Sequence, residues 1–294
     1  RILNSNMVIL DENYLIKQKG KNLAALNELK LDSCQISSID AKAFLSLLRL
    51  VELRLDFNRV TSIDPKTFNS LANLQILSLI CNQLTSIDSK TFVNLSNLTH
   101  LSLDSNKIAS IDPNTFTDLG KLIYLSLDGN QLTSLDPKTF SNLSNLKELR
   151  LSANQLKLIV PSTFHNLTEL THLSLHTNRL TSIDSKLFLS LEKLTELTIG
   201  GNQIKSLDPK TFSSLRCLSE LWIYGNQLTT IDPETFSNLK NLTQLSLYDN
   251  PITSSSAISI LDRRIFRGLK CLVKLYLHSQ EENSVNDFAD EINK

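Results

Sequence analysis

An excess charge of either sign is what this sequence most plainly lacks: thirty Lys and Arg stand against thirty Asp and Glu. A chain with no net field is not drawn to polyanions, so nucleic acid is not an expected partner. Long apolar runs are missing too. None approaches the ~20 residues that span a bilayer, so no membrane insertion is expected. Residues 1–25 lack the charged, apolar and small-residue order of a signal peptide, and the sequence opens on Arg1, which leaves any targeting segment open. Glycine and cysteine are scarce, at seven and four, and neither a phosphate-cradling glycine loop nor CxxC or HExxH occurs. The expectation is a protein that is not an enzyme and uses no cofactor and no metal.

What is present is repetition. "GNQLTSLDPKTFSNLSNLKELRL" (129–151) returns almost intact as "GNQIKSLDPKTFSSLRCLSELWI" (201–223). Leucines recur every 24 residues from Leu26 to Leu242, each opening LxxLxLxxNxL, as in "LIYLSLDGNQL" (122–132). Asn58, Asn82, Asn106 and onward to Asn250 hold the same register, with Cys34 in that place in the first unit. An eleventh, degenerate unit, "LVKLYLHSQ" (272–280), arrives six residues late. The alternating LxL core reads as a short strand with its leucines on one side. A side-chain amide at the following turn can satisfy backbone groups of neighbouring units. In "SIDPKTF" the apolar residue (Ile63, Ile87, Ile111, Leu135, Ile183, Ile231) is expected to point inward. The Asp suits a helix N-cap, and six of the seven prolines take the first helical position. Ten of twelve phenylalanines, from Phe44 to Phe266, form a second column. One unit alone cannot bury both its leucines and its Phe, whereas stacked units can.

Over roughly residues 24–280 this pattern resembles the leucine-rich repeat family in its typical 24-residue form, similar to the ectodomains of Toll-like receptors, Slit proteins and variable lymphocyte receptors. The resemblance implies an α/β solenoid: a horseshoe with a concave parallel β-sheet, short helical or 3₁₀ turns on the convex side, and ligands held on the concave face. The division that follows is an N-terminal cap over 1–25, a solenoid over 26–280 with about eleven repeats and a six-residue insertion within 251–260, and a polar C-terminal tail over 281–294. Relatives outside the cell usually close their ends with disulfide caps. Here Cys34 and Cys81 lie two rungs apart, as do Cys217 and Cys271, and two rungs are roughly 10 Å, beyond the ~7 Å reach of a disulfide. The ends are therefore expected to be covered without disulfides, at the first end by Val8, Ile9, Leu10 and Leu15. The repeat subtype points to an extracellular or cell-surface protein, and the missing caps to a cytoplasmic alternative.

Function should lie where the repeat is broken. Three strand columns face away from the leucines, and they hold the only Trp, four of five Tyr and four of five His. Elsewhere Ser or Thr fills the same places. Trp222, Tyr224, Tyr248 and Tyr276 gather in the last rungs, and aromatics with polar tips are the usual anchors of binding energy. Two explanations stand: recognition of a partner, or cross-strand packing that stabilises this end. The preferred reading is a non-catalytic module that binds a protein or peptide ligand on its concave face. His172, His176, Trp222, Tyr224, Tyr248 and Tyr276 would be contact residues, with Glu148, Arg150, Glu196 and Glu220 setting charge specificity. The alternatives are a self-association scaffold, giving a homodimer through the same face, and the targeting domain of a larger protein. The insertion in "PITSSSAISI" could rim the patch or simply mark an atypical terminal repeat.

Other constellations tempt. His100, Ser102 and Asp104 share a face but are too extended along one strand to act as a triad, since residues four apart lie roughly 13 Å apart. His172 and His176 fail as metal partners for the same reason. The pairs Asp32/Asp56 and Asp104/Asp128 read as ordinary solvated acids. Glycosylation sequons at Asn94, Asn97, Asn142, Asn166 and Asn241 arise easily from the repeat itself, so they say little about secretion. The basic residues Arg263, Arg264, Arg267 and Lys270 are expected on the convex side.

Overall fold

The structure, a computed structural model, describes residues 9–19, 23–253, 262–278 and 281–283. They fall into two compact units, Arg1–Leu146 and Lys147–Lys294, built from the same rung.

In the first unit the elements are β1 (Ile9–Leu10), α1 (Glu12–Lys19), β2 (Glu28–Lys30), β3 (Ser38–Ile39), β4 (Glu52–Arg54), β5 (Ile76–Ser78), β6 (His100–Ser102) and β7 (Tyr124–Ser126). Strands β2, β4, β5, β6 and β7 pair parallel and strictly in register, Leu29 opposite Leu53, then Leu77, Leu101 and Leu125. Strand β1 pairs parallel with β3. This places Leu10 and Leu15 in the core, while Ile9 is 60% exposed rather than part of the cover; Val8 lies outside the described residues. The second unit holds β8 (Glu148–Arg150), β9 (His172–Ser174), β10 (Glu196–Thr198), β11 (Glu220–Trp222), β12 (Gln244–Ser246), β13 (Lys274–His278) and β14 (Glu281–Asn283). Strands β8 to β13 are parallel, with Glu148, His172, Glu196, Glu220, Gln244 and Lys274 side by side. Strand β14 turns back antiparallel on β13. Of the stretch 251–260 expected to hold the insertion, Pro251–Thr253 form a 3₁₀ turn and the rest lies outside the described residues; β12 and β13 on either side of it still pair in register.

Each rung follows from its sequence. The strand leucines are fully buried, and so are all ten column phenylalanines. Successive rings stack at about one rung spacing, with Phe92, Phe116 and Phe140 at centroid distances of 6.2 and 6.3 Å, and Phe188, Phe212 and Phe236 at 6.2 and 6.1 Å. The asparagine does what its turn position predicts. Asn82 Nδ2 donates to the carbonyls of Leu55 and Leu79 while its Oδ1 accepts from Val60 N–H, and Asn202 repeats this with Leu175, Ile199 and Leu180. A buried amide thus satisfies backbone groups in two rungs at once.

The turn just before that asparagine is left-handed in every rung. Its position holds Gly129, Gly201 and Gly225 but also Phe57, Cys81, Ser105, Ala153, Thr177 and Asp249 at φ of 52–56°. A glycine adopts that conformation freely and the others do so under strain.

On the far side the chain makes the short turns expected there, mostly as single turns. The Asp caps hold: Asp64 Oδ1 accepts from Lys66 N–H at 2.8 Å and Asp208 from Lys210 at 2.8 Å. The next bonds are i to i+3, Thr67 N–H to the Asp64 carbonyl at 3.0 Å, and the chain turns inward to bury Phe68 before a helix develops. Among the later rungs, 3₁₀ helix forms at Pro161–Phe164, where Val160 stands in the Asp position without a side-chain cap, and at Arg263–Phe266. The apolar residue ahead of the Asp is nearly buried at Ile87, Ile183 and Ile231 and half-buried at Ile63, Ile111 and Leu135. The threonines before the column phenylalanines, such as Thr91 and Thr211, carry buried hydroxyls with no hydrogen-bond partner among the described residues. Ala43 and Leu187 fill the same place in other rungs, so the site tolerates an apolar group.

Candidate ligand-binding face

The face opposite the leucines carries three columns, set by strand alternation. In the second unit the first column holds Glu148, His172, Glu196, Glu220, Gln244 and Lys274; the middle one Arg150, Ser174, Thr198, Trp222, Ser246 and Tyr276. The third, just past the strands, holds Ser152, His176, Gly200, Tyr224 and Tyr248.

Two aromatic pairs dominate. Trp222 and Tyr276 stand on β11 and β13, with Ser246 between them on β12. Strands two apart are separated by roughly 10 Å, yet the ring centroids are 5.7 Å apart with planes at 26°. The two side chains therefore lean together over the serine, which is only 1% exposed. Tyr224 and Tyr248, one rung apart, stack at 4.9 Å and 5°. Behind Tyr224 the third column is empty because residue 200 is glycine. A Cβ there would lie 2.6 Å from Tyr224 Cε1, inside contact distance. The small residues Gly200 and Ser246 are thus what allow the rings to fold down.

The rings remain half-exposed, and they border a hollow of about 460 Å³ lined by His176, Glu196, Thr198, Glu220, Trp222, Tyr224, Tyr248 and Tyr276. Of the ten residues singled out in the sequence, seven meet here. Three do not line it. Glu148 accepts from Arg150 Nε at 2.6 Å on its own strand, and His172 stands at the rim, its Nε2 3.8 Å from Glu196 Oε2. Thr198 was missed, although its register beside Trp222 follows from the 24-residue period.

Polar groups in the hollow are held by neutral partners. Glu220 accepts from Trp222 Nε1 at 3.3 Å and from Gln244 Nε2 at 2.9 Å. His176 Nδ1 is 3.0 Å from Thr177 Oγ1, and burial lowers its pKa from the ordinary histidine value, favouring the neutral ring. Burial, helped by neighbouring Tyr248, raises the Tyr224 phenol.

The first unit presents a different surface. Glu28, Lys30, Glu52 and Arg54 pair among themselves, and these contacts hold Glu28 below the usual carboxylate range and the two bases above theirs. His100 stacks on Tyr124 at 5.9 Å and meets Thr99 Oγ1 through Nδ1 at 2.9 Å. Asp104 accepts from the Ser126 hydroxyl and from Asp128 N–H, not from His100. The reading of the Asp pairs as solvated acids needs correction at Asp56. It is 6% exposed and accepts from Ser78 Oγ at 2.6 Å and Ile80 N–H at 2.8 Å. Burial raises its pKa. The acid tilts over the small serine of the next rung and closes its backbone. No cluster of three metal-ligating side chains occurs among the described residues, and no described helix is long and apolar enough to cross a membrane. Arg263, Arg264, Arg267 and Lys270 are exposed, with Arg264 paired to Asp262 at 2.8 Å.

A leucine rich repeat profile matches residues 24–80, 48–108, 72–132, 121–180, 168–228, 192–252 and 218–281. None of the curated proteins matches the sequence significantly. Among solved structures, the TLR13–ssRNA13 complex is similar over 98% of this chain and 44% of its own, with 28% identity and a TM-score of 0.79. The Toll–Spatzle complex of Drosophila is similar over 84% of this chain and 34% of its own, with 24% identity and a TM-score of 0.75. The sequence therefore spans less than half the length of either. Neither the profile nor these structures indicates an enzyme.

Proposed function

The chain belongs to the leucine-rich repeat family, and we propose that it is a non-catalytic recognition module binding a protein or peptide on the open face of β10 to β13. The observation that carries this reading is the half-exposed hollow walled by two stacked aromatic pairs, where a bare scaffold needs only small residues. Exposed aromatic clusters of this kind are uncommon on surfaces that meet nothing. The Toll structure is a complex with a protein, Spatzle, and supports a polypeptide ligand for the same repeat architecture. The TLR13 structure is a complex with single-stranded RNA. A neutral chain whose hollow carries two carboxylates is poorly suited to a phosphate backbone, so the polypeptide reading is preferred and RNA belongs among the probes. An extracellular or lumenal location accords with both relatives, as would membership of a longer protein.

The test is panning of a displayed peptide library against the protein and against the Trp222→Ala/Tyr248→Ala variant. Enrichment by the parent alone, with both unfolding at nearly the same temperature, supports the reading. An unfolded double variant favours packing as the role of these rings. The self-association alternative, in which a second copy covers the rings, predicts a dimer in sedimentation at high concentration that the double variant abolishes.

A further inference from the structure

We infer that the hollow takes a basic side chain, an arginine or lysine of the ligand, between Glu196, Glu220 and the aromatic walls. This rests on the recognition reading above and names its chemistry.

The other rungs with an acid in this column obey a rule. Where a glutamate occupies the first column at Glu28, Glu52 or Glu148, a Lys or Arg stands two residues on, at Lys30, Arg54 and Arg150, and pairs with it. Side chains two apart on a strand share a face, so these rungs neutralise themselves. In β10 and β11 the acid is kept but the base is gone: Thr198 follows Glu196, and Trp222 follows Glu220. No Lys or Arg ion pair to either acid occurs among the described residues. Glu220 has only the indole and amide donors, and Glu196 only the His172 imidazole at 3.8 Å, an ion pair solely when that ring is protonated. The base in the same column, Lys274, sits two strands from Glu220 with Gln244 between them, roughly 10 Å away. His176, the histidine among the hollow's lining residues, is half-buried, its ring hydrogen-bonded to the Thr177 hydroxyl.

Two carboxylates without a cation thus face ring systems whose π faces attract one. Guanidinium suits the place better than ammonium, because its plane can stack on Trp222 or Tyr224 while its edge donates in pairs to a carboxylate.

Trp222, the only tryptophan, supplies the readout. Its fluorescence is followed while blocked peptides identical but for a central Arg, Lys, Ala or Glu, and separately an oligouridylate, are added to the whole protein. The expected result is a saturable change with the Arg peptide, a weaker one with Lys, and none with Ala, Glu or the oligonucleotide. Glu196→Gln/Glu220→Gln, isosteric and on the open face, should weaken the Arg peptide about tenfold or more, while Glu52→Gln changes it by less than about twofold. Equal binding by the double Gln variant, or an equal response to Ala, Glu or oligouridylate, overturns the basic-ligand inference and leaves the recognition face standing. Silence toward every probe overturns both.

Discussion

The open faces of the two units rest on the same rung and treat it oppositely. From β2 to β7 the face answers its own demands: Lys30 and Arg54 neutralise Glu28 and Glu52, Asp56 closes over Ser78, and Asp104 closes over Ser126. From β9 to β13 the face leaves its groups open. Glu196 and Glu220 lack bases, and four aromatic rings stack on one another with their outer surfaces exposed to solvent. The difference teaches that a scaffold need not change for its surface to change. It is enough to stop compensating particular positions and to set a glycine or serine beside each large ring.

Breaking the shared part should cost the most. Asn82→Ala and Asn202→Ala each leave one buried N–H, of Val60 or Leu180, without its acceptor and remove one of the two amide donors from each of two buried carbonyls, and both should lose about 2–4 kcal/mol, measured by chemical denaturation. A large loss in one unit only would mean the rungs are not equivalent. Gly200→Ala comes next. Its new Cβ would strike the Tyr224 ring and break the stack with Tyr248, costing about 1–3 kcal/mol with a changed near-ultraviolet circular dichroism. No effect would show that the aromatic wall is loosely seated and that the two faces differ in composition alone.

The smallest effect separates the units by pH. Asp56 has its folded pKa raised by burial, so its contribution is full below the unfolded carboxylate value near 4 and is lost as pH rises through the folded value. His176 has its folded pKa lowered, so its contribution is full above the unfolded imidazole value near 6.5 and is lost as pH falls through the folded one. Acidification from neutral should therefore relieve Asp56 and penalise His176. Asp56→Asn should flatten the first dependence and His176→Gln the second, in denaturation curves recorded across pH. A slope unchanged by either substitution would remove burial as its cause.

Much of this was legible from residue order, and some was not. A 24-residue spacing of leucine, asparagine and phenylalanine dictates strand, turn and stacking column, because each demand is local and is met by an identical neighbour. The columns named most of the hollow for the same reason. The short turns on the far side follow from order too, but their length does not: Asp caps favour a helical start, and the pull of Phe68 and its equivalents into the core ends each turn after one cycle. Nor could order alone place Asp56 in a buried pocket, since its burial depends on tilting over Ser78 in the next rung.

By itself the sequence determined the repeat, its register and which side chains leave the leucine side. Only the tertiary structure decided how those side chains lean: Trp222 toward Tyr276 across a serine, Tyr224 onto the bare backbone of Gly200. With rungs about 5 Å apart, a ring on this face can fold down only over a small neighbour, Ser246 or Gly200, and that choice belongs to residues 24 or more positions apart in the chain.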